Sequence, residues 1–207
     1  MKLYALPKSL NSRKLLALIH HLDLPVEIVA MSVDDLRTES FAAINPNRLA
    51  PALVDGDLKL WESNAIGVHL AQGSAMLPTD PRSQLEMLRW LFWEGIHFNR
   101  ALGTIFFETA VRPQLGWGVT NQALVDEAMG HAKKHLAVLD AHLEDRPFVL
   151  GDSLSFVDFA LASAEPYRDR MPIDFDRFAN LQRHYDFIAG LPAWQKAVGA
   201  APVAVAA

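Results

Sequence analysis

The 207-residue chain contains no cysteine, which excludes disulfide staples, thiolate metal sites and a cysteine nucleophile. Any sulfur chemistry has to arrive with a ligand. An excess of positive charge is also missing: 19 Lys and Arg stand against 24 Asp and Glu, for a formal net charge of -5. A nucleic-acid surface needs clustered cations to displace phosphate counterions, so a small polar partner fits the balance better and no nucleic acid is expected. Long apolar runs are lacking as well. The uncharged tail from Ala197 to Ala207 is far shorter than a bilayer span and holds Pro202. The N-terminus passes from Lys2 straight into Leu3-Tyr4-Ala5-Leu6, without the apolar segment and cleavage site of a secretory signal. The expectation is a cytoplasmic protein with no membrane partner. No G-x-S-x-G, Walker A or G-x-G-x-x-G run occurs, so serine hydrolase and nucleotide readings lack a local motif.

What is present is an ordinary globular composition, 51% hydrophobic and 21% charged, long enough for one large domain or two small ones. Residues 1–73 read as short strands alternating with helices. Leu3 to Leu6 suits a brief buried strand, and Leu15, Leu18, Ile19 and Leu22 then form the i, i+3, i+4, i+7 stripe of a helix packed on a sheet. Val26 to Met31 suits a second strand. A short helical or irregular segment through Phe41 to Ile44 ends at Asn45-Pro46, where proline removes a donor and restricts its predecessor. Ala52 to Val54 and Leu58 to Trp61 flank Asp55-Gly56, a pair that supplies positive φ for a two-residue hairpin. Ser63 opens a helix that stops near Gly73. The order is β-α-β-α-β-β-α.

Residues 73–81 carry one Gly and two Pro without periodicity, as a linker does. From 82 to 207 the chain reads as all-helical. Leu85, Leu88, Leu91 and Phe92 form one stripe; Val125, Met129, Ala132, Leu136, Leu139 and Leu143 form a longer one, suited to a central bundle helix. Ser155-Phe156-Val157-Asp158 is a capping box, and a last helix is predicted from about Phe178 to Ile188.

These parts resemble the cytosolic glutathione transferase family, in its serine-using or bacterial branches. Asn45-Pro46-Asn47-Arg48-Leu49-Ala50-Pro51-Ala52-Leu53 is similar to the family's "NPxGxVPxL" segment, Glu62-Ser63 to its "ES" pair, Ser155-x-x-Asp158 to its C-terminal capping box, and Ser9-Leu10-Asn11 with Arg13 to the "MSTNxxRV" segment after its first strand. The likeness covers nearly the whole chain. It implies a thioredoxin-like β-α-β-α-β-β-α domain followed by an all-helical bundle, a homodimer, and a transferase that activates glutathione as thiolate for attack on a hydrophobic electrophile. Glutathione is then a substrate, and no cofactor or metal is implied. A non-catalytic glutathione-binding or interaction protein of the same fold is the alternative, since fold does not dictate function.

The resemblance also implies site residues. It makes Ala50-Pro51 cis, leaving the Ala50 backbone to pair with the cysteinyl backbone of the ligand like an added strand; residue statistics alone favour trans, because only about 5–6% of X-Pro bonds are cis. Glu62 meets the γ-glutamyl ammonium, while Ser63 and the first-turn amides of its helix receive the carboxylate. Ser63 read alone is a helix cap. Ser9 is the first candidate to donate to the thiol, then Asn11, then Ser12, which is more simply a helix cap or first-turn residue. Arg48 and Leu49 stand where the family has Gly and then Lys or Gln. Arg48 is the substitute for the glycyl carboxylate, with Lys8 or Arg13 adding positive charge; read plainly, all three are solvated charges, or for Arg13 a structural ion pair. Phe98, Phe106 and Trp117, in the aromatic-rich second domain, are candidates for the co-substrate pocket.

Other features have simpler readings. His131 and His135 share a helix face, a spacing that can bind metal, but no third ligand is evident in the sequence. His20-His21 complement a helix dipole, and Tyr4 reads as core.

Overall fold

The computed structural model describes residues 1–199; residues 200–207, most of the apolar tail, lie outside the described residues. No described helix is long and apolar enough to cross a membrane. The chain divides into two compact units, one of residues 1–77 joined by the chain from Gly190 onward, the other of residues 78–189.

The first unit is built on four short strands: β1 (Lys2–Ala5), β2 (Glu27–Ala30), β3 (Ala52–Asp55) and β4 (Leu58–Trp61), in the order β2-β1-β3-β4. β1 runs parallel to β2, with Leu3 beside Ile28, and antiparallel to β3, with Leu3 opposite Leu53. Pleating sends alternate residues to opposite faces. Tyr4, Leu6, Val29 and Ala52 accordingly pack with Met31, Leu36, Phe41 and Ile44 in one apolar cluster, while Leu3, Ala5 and Leu53 are buried within the unit. Tyr4 meets Phe41 at 6.1 Å between ring centroids, in agreement with its reading as core. The hairpin pairs Asp55 with Leu58, so its two loop residues are Gly56 and Asp57, one position later than Asp55-Gly56. Positive φ falls on Gly56 alone, the first loop residue, where a type II′ turn places it.

Three helices complete the predicted order: α1 (Leu10–His21), α2 (Glu39–Ala42) and α3 (Ser63–Leu70). α1 is buried almost continuously from Ser12 to Ile19, well beyond one stripe, because it packs against both α3 and the C-terminal helix. Each of its fully buried leucines contributes about 1.5–3 kcal/mol relative to exposure. His20 and His21 occupy its last turn, where positive charge complements the dipole.

The second unit contains α4 (Pro81–Trp93), α5 (Asn99–Phe106), α6 (Arg112–Gln114), α7 (Gln122–His142), α8 (Phe156–Leu161) and α9 (Ala179–Gly190). Asp80 caps α4 by accepting from the Ser83 amide, with Pro81 at the first helical position, where its missing N–H costs nothing. α7 buries Val125, Ala128, Ala132, Leu136 and Leu139, close to its predicted stripe. π-helical turns at Glu94–Phe98 and Phe107–Val111 flank α5. A periodicity of 3.6 cannot foresee such wide turns.

Two expectations change. The helix from about Phe178 is followed by α10 (Pro192–Gly199), which begins at a proline and buries Trp194 and Ala197. It belongs to the first unit, against α1, whereas everything from 82 to 207 was expected in the helical domain. Three of the four residues of the α4 stripe also face outward. Leu85, Leu88 and Phe92 are exposed at 68%, 41% and 66%, while Met87, Trp90 and Leu91 supply the buried face.

Candidate active site

Strand direction alone gathers the site. β1 ends at the edge of the sheet where β3 begins and, because β4 is antiparallel to β3, where β4 also ends; Ala52 sits between Tyr4 and Trp61 across the three strands. The segments just beyond are Leu6 to Ser9, Leu49 to Pro51, and Glu62-Ser63. Two helix N-termini, of α1 and α3, start from this edge, and each turns the positive end of its dipole toward an anion there.

Ser9 is the cap residue of α1, with extended backbone (φ -73°, ψ 135°), and is half-buried. Its carbonyl accepts from the Arg13 amide at 3.0 Å, while its hydroxyl makes no capping bond to the helix. The oxygen is therefore placed at the helix tip without being used by the helix. Asn11 follows in the first turn and is partly exposed. Ser12 is completely buried, and its Oγ accepts from the Leu6 amide at 3.2 Å, so it ties the loop down from inside. That leaves the cap position to Ser9.

The Ala50-Pro51 bond is cis. The loop before it is held by a residue without an assigned role in the sequence reading. Asn45 is 2% exposed; its Oδ1 accepts from the Asn47 amide and Nδ2, each at 3.0 Å, and its own Nδ2 donates to the Leu49 carbonyl at 2.6 Å. Leu49 projects outward at 65% exposure, and Ala50 packs on the cluster around Phe41. Arg48, at φ +55°, turns its guanidinium back onto the segment before α2: it donates to the carbonyls of Arg37 and, at 3.2 Å, Thr38, and to Glu39 Oε1 at 2.6 Å. Those bonds make Arg48 a brace for the loop. Lys8 is exposed, whereas Arg13 is 2% exposed and so is not a solvated charge.

Glu62 occupies the cap position of α3, and Ser63 is its first helical residue, one step later than the simple capping reading. Glu62 has φ +70°, a left-handed conformation that costs a non-glycine residue about 1–3 kcal/mol and clusters at ligand sites. The next residue, Asn64, carries a contact that no sequence pattern announced: its Oδ1 accepts from Lys14 Nζ at 2.7 Å, and Lys14 is wholly buried in α1. The only sequence signal was a lysine ahead of the apolar run 15–19.

In the helical unit, Phe98 is 1% exposed and stacks on Trp93 at 5.3 Å; Phe106 is 8% exposed and stacks on Tyr167 at 4.1 Å. Both are core contacts of that unit. Trp117 presents a surface, at 44% exposure, with Phe107 6.2 Å behind it. Its loop is anchored by Glu108, whose carboxylate holds Arg112 and the Asn121 amide and is kept below its ordinary range by the guanidinium. His131 and His135 lie 6.2 Å apart with His97 5.5 Å from His135, yet no group of three or more His, Asp or Glu among the described residues is placed to hold a metal ion. An open cavity of about 510 Å³ beside Arg168, Asp174 and Asp186 contains none of the predicted site residues.

A four-stranded sheet in this order, with a cis-proline at the end where two helix tips start, defines a thioredoxin-like domain, here followed by an all-helical one. Residues 1–72 match the family model "Glutathione S-transferase, N-terminal domain", and residues 98–192 match "Glutathione S-transferase, C-terminal domain". A glutathione S-transferase of Hyoscyamus muticus is 32% identical over 96% of this chain and 97% of its own, and glutathione S-transferase 3 of Zea mays is 34% identical over 98% and 95%. Among solved structures, the theta class glutathione S-transferase of the citrus canker pathogen Xanthomonas axonopodis pv. citri, with glutathione bound, is similar at a TM-score of 0.86, with 27% identity over 97% of each chain. The chain belongs to the glutathione S-transferase family.

Proposed function

We propose that this protein is a glutathione transferase that binds glutathione at the sheet edge described above and joins the glutathione sulfur to a hydrophobic electrophile. The observation that carries the reading is the convergence of Ser9, cis-Pro51 and Glu62-Ser63 at one end of the sheet, between two helix N-termini. The Ala50 backbone pairs with the cysteinyl backbone of the tripeptide, next to Leu49. The first-turn amides of α3 and the Ser63 hydroxyl take the γ-glutamyl carboxylate, and Glu62 meets the ammonium. Arg48 contributes by bracing the loop that presents Leu49 and Ala50.

Ser9 then donates its hydroxyl to the sulfur. A free thiol titrates near 8.5, and lowering it by about two units requires roughly 2.7 kcal/mol of preference for the thiolate. A hydrogen bond to a charged group contributes about 1.5–3 kcal/mol and a helix N-terminus about 0.3–1 kcal/mol, so the two together suffice. The proton leaves to solvent. A sulfur lone pair attacks the electrophilic carbon, and either a leaving group departs with its bonding pair or the displaced π-electrons take up a proton. Asn11 is the second candidate donor at the sulfur. Trp117 offers the apolar co-substrate its exposed ring, while Phe98 and Phe106, being buried, serve the packing of the helical unit. The reaction draws its electrons from glutathione and needs no resident cofactor. A homodimer is the working form, supported by the uncovered apolar stripe of α4, and the cytoplasm its place.

The test is the absorbance of bound glutathione thiolate followed against pH. In Ser9→Ala the titration midpoint should rise by about 1–2 units, the loss of one charged hydrogen bond. An unchanged midpoint removes Ser9 from the role, and absence of glutathione binding to the native protein in calorimetry removes the reading itself.

A further inference from the structure

Lys14 has its whole side chain out of solvent, and an ammonium in such a place loses several kcal/mol of hydration that only well-aimed partners offset. One partner is Asn64 Oδ1 at 2.7 Å. The two residues are 50 positions apart, on different helices, and each stands close to a different half of the proposed site. Lys14 is five residues after Ser9 on α1; Asn64 is the residue after Ser63 in the first turn of α3. α1 and α3 pack on one another, so this bond crosses their contact.

The strain in the backbone adds to the argument. Glu62, at φ +70°, hands the chain from β4 into α3, and a residue held in that region persists only where its surroundings over-determine it. A bond that pins the next-but-one residue is such a determinant. A site that grips one tripeptide from two helix tips also depends on their spacing, because misplacement of about 1 Å can cost two orders of magnitude in rate.

We infer that Lys14 is a positioning residue for glutathione: its bond to Asn64 locks the first turn of α3, with Ser63, at a fixed distance from Ser9 on α1. This rests on the glutathione reading of the site. Lys14 touches no substrate. It sets the geometry in which Ser9 holds the central sulfur and Ser63 the γ-glutamyl end of the same ligand.

The test uses the full chain with Lys14→Met, which keeps the volume and removes the charge, and Asn64→Leu, which removes the acceptor. KM for glutathione is expected to rise about tenfold in each, within the usual range of coupling between sites, and the double variant should be no worse than either single one. KM for a saturable electrophile should stay near the native value, and so should the thermal midpoint of the double Lys14→Met, Asn64→Leu variant, since replacing both partners of a buried polar contact by apolar residues of like volume is commonly neutral or stabilising. A bond that only supports the fold predicts the reverse: a lowered thermal midpoint with glutathione KM unchanged, which would overturn the inference. Additive effects in the double variant would overturn it too. Native protein that binds no glutathione would instead sink the functional reading, and calorimetry on it separates the two failures.

Discussion

Asp158 shows how much one buried carboxylate can organise. It is fully buried in α8 and collects four donors: the Val149 amide, the Ser155 amide and the Ser155 hydroxyl, each at 2.8 Å, and His184 Nε2 at 3.1 Å. An amide in its place keeps the shape but turns an NH2 toward groups that are themselves donors. Asp158→Asn is therefore expected to lower the unfolding free energy by about 3–5 kcal/mol, the cost of breaking a buried pair, while Ser155→Ala costs about 1 kcal/mol as a lost cap. Urea titrations followed by circular dichroism check both; equal losses in the two variants would refute the hub. The capping half of this cluster was legible in the sequence because Ser155 and Asp158 lie within one turn. Val149 and His184 were not, since nothing local marks a partner 9 or 26 residues away. The same limit hid the Lys14–Asn64 bond and the turn of Arg48 onto Glu39, whereas Ser9 and Ser63 were singled out by short segments that resemble those of a known family.

At the scale of elements, periodicity reveals that a helix has an apolar face but not what covers it. Leu85, Leu88 and Phe92 were read as core, yet with Ile96, exposed at 57%, they form an uncovered stripe along α4 and the wide turn after it. Contiguous exposed apolar side chains of this kind mark an interaction surface. The proposed homodimer accounts for it. Phe92→Glu sets a charge among these side chains and should weaken self-association by about 2 kcal/mol or more, roughly thirtyfold, as loss of a central aromatic anchor does. Light scattering across a dilution series reads this directly; a native protein that is monomeric, or a variant that associates as before, would reject the stripe as the contact. The strands and the hairpin were more legible, because short apolar runs bounded by turn residues carry their own geometry. α10 escaped notice for the opposite reason: it has only eight residues and begins at a proline, and it is Trp194 and Ala197 against α1 that give the segment its place.

At the scale of the whole molecule, several ionisable groups favour the neutral side of pH. Burial holds His20, His135 and His142 below the ordinary 6.5; Lys196 adds to this at His20, His97, His131 and Lys134 at His135, and Arg146 and Arg89 at His142, where the Val149 carbonyl and Glu86 pull the other way. A histidine whose folded pKa is depressed binds fewer protons folded than unfolded. Its contribution is complete above 6.5 and is lost as pH falls from there toward the folded pKa. Glu108 acts on the acid side of that window. Its hydrogen bonds to Arg112 and to the Asn121 amide hold it below the ordinary 4.5, so its contribution is present above 4.5 and disappears as pH falls through the depressed value. Stability should therefore decline in two stages, as pH falls below 6.5 through the histidines and again below 4.5 through Glu108. His135→Gln combined with His142→Gln should flatten the first stage and leave the second, while Glu108→Gln should flatten only the second. Added salt should soften the first stage, because the repulsion among His97, His131 and His135 acts at a partly exposed surface where ions screen it. Denaturant midpoints measured from pH 4 to 8 test the scheme, and a first stage that survives the double histidine variant unchanged would show that other groups govern it.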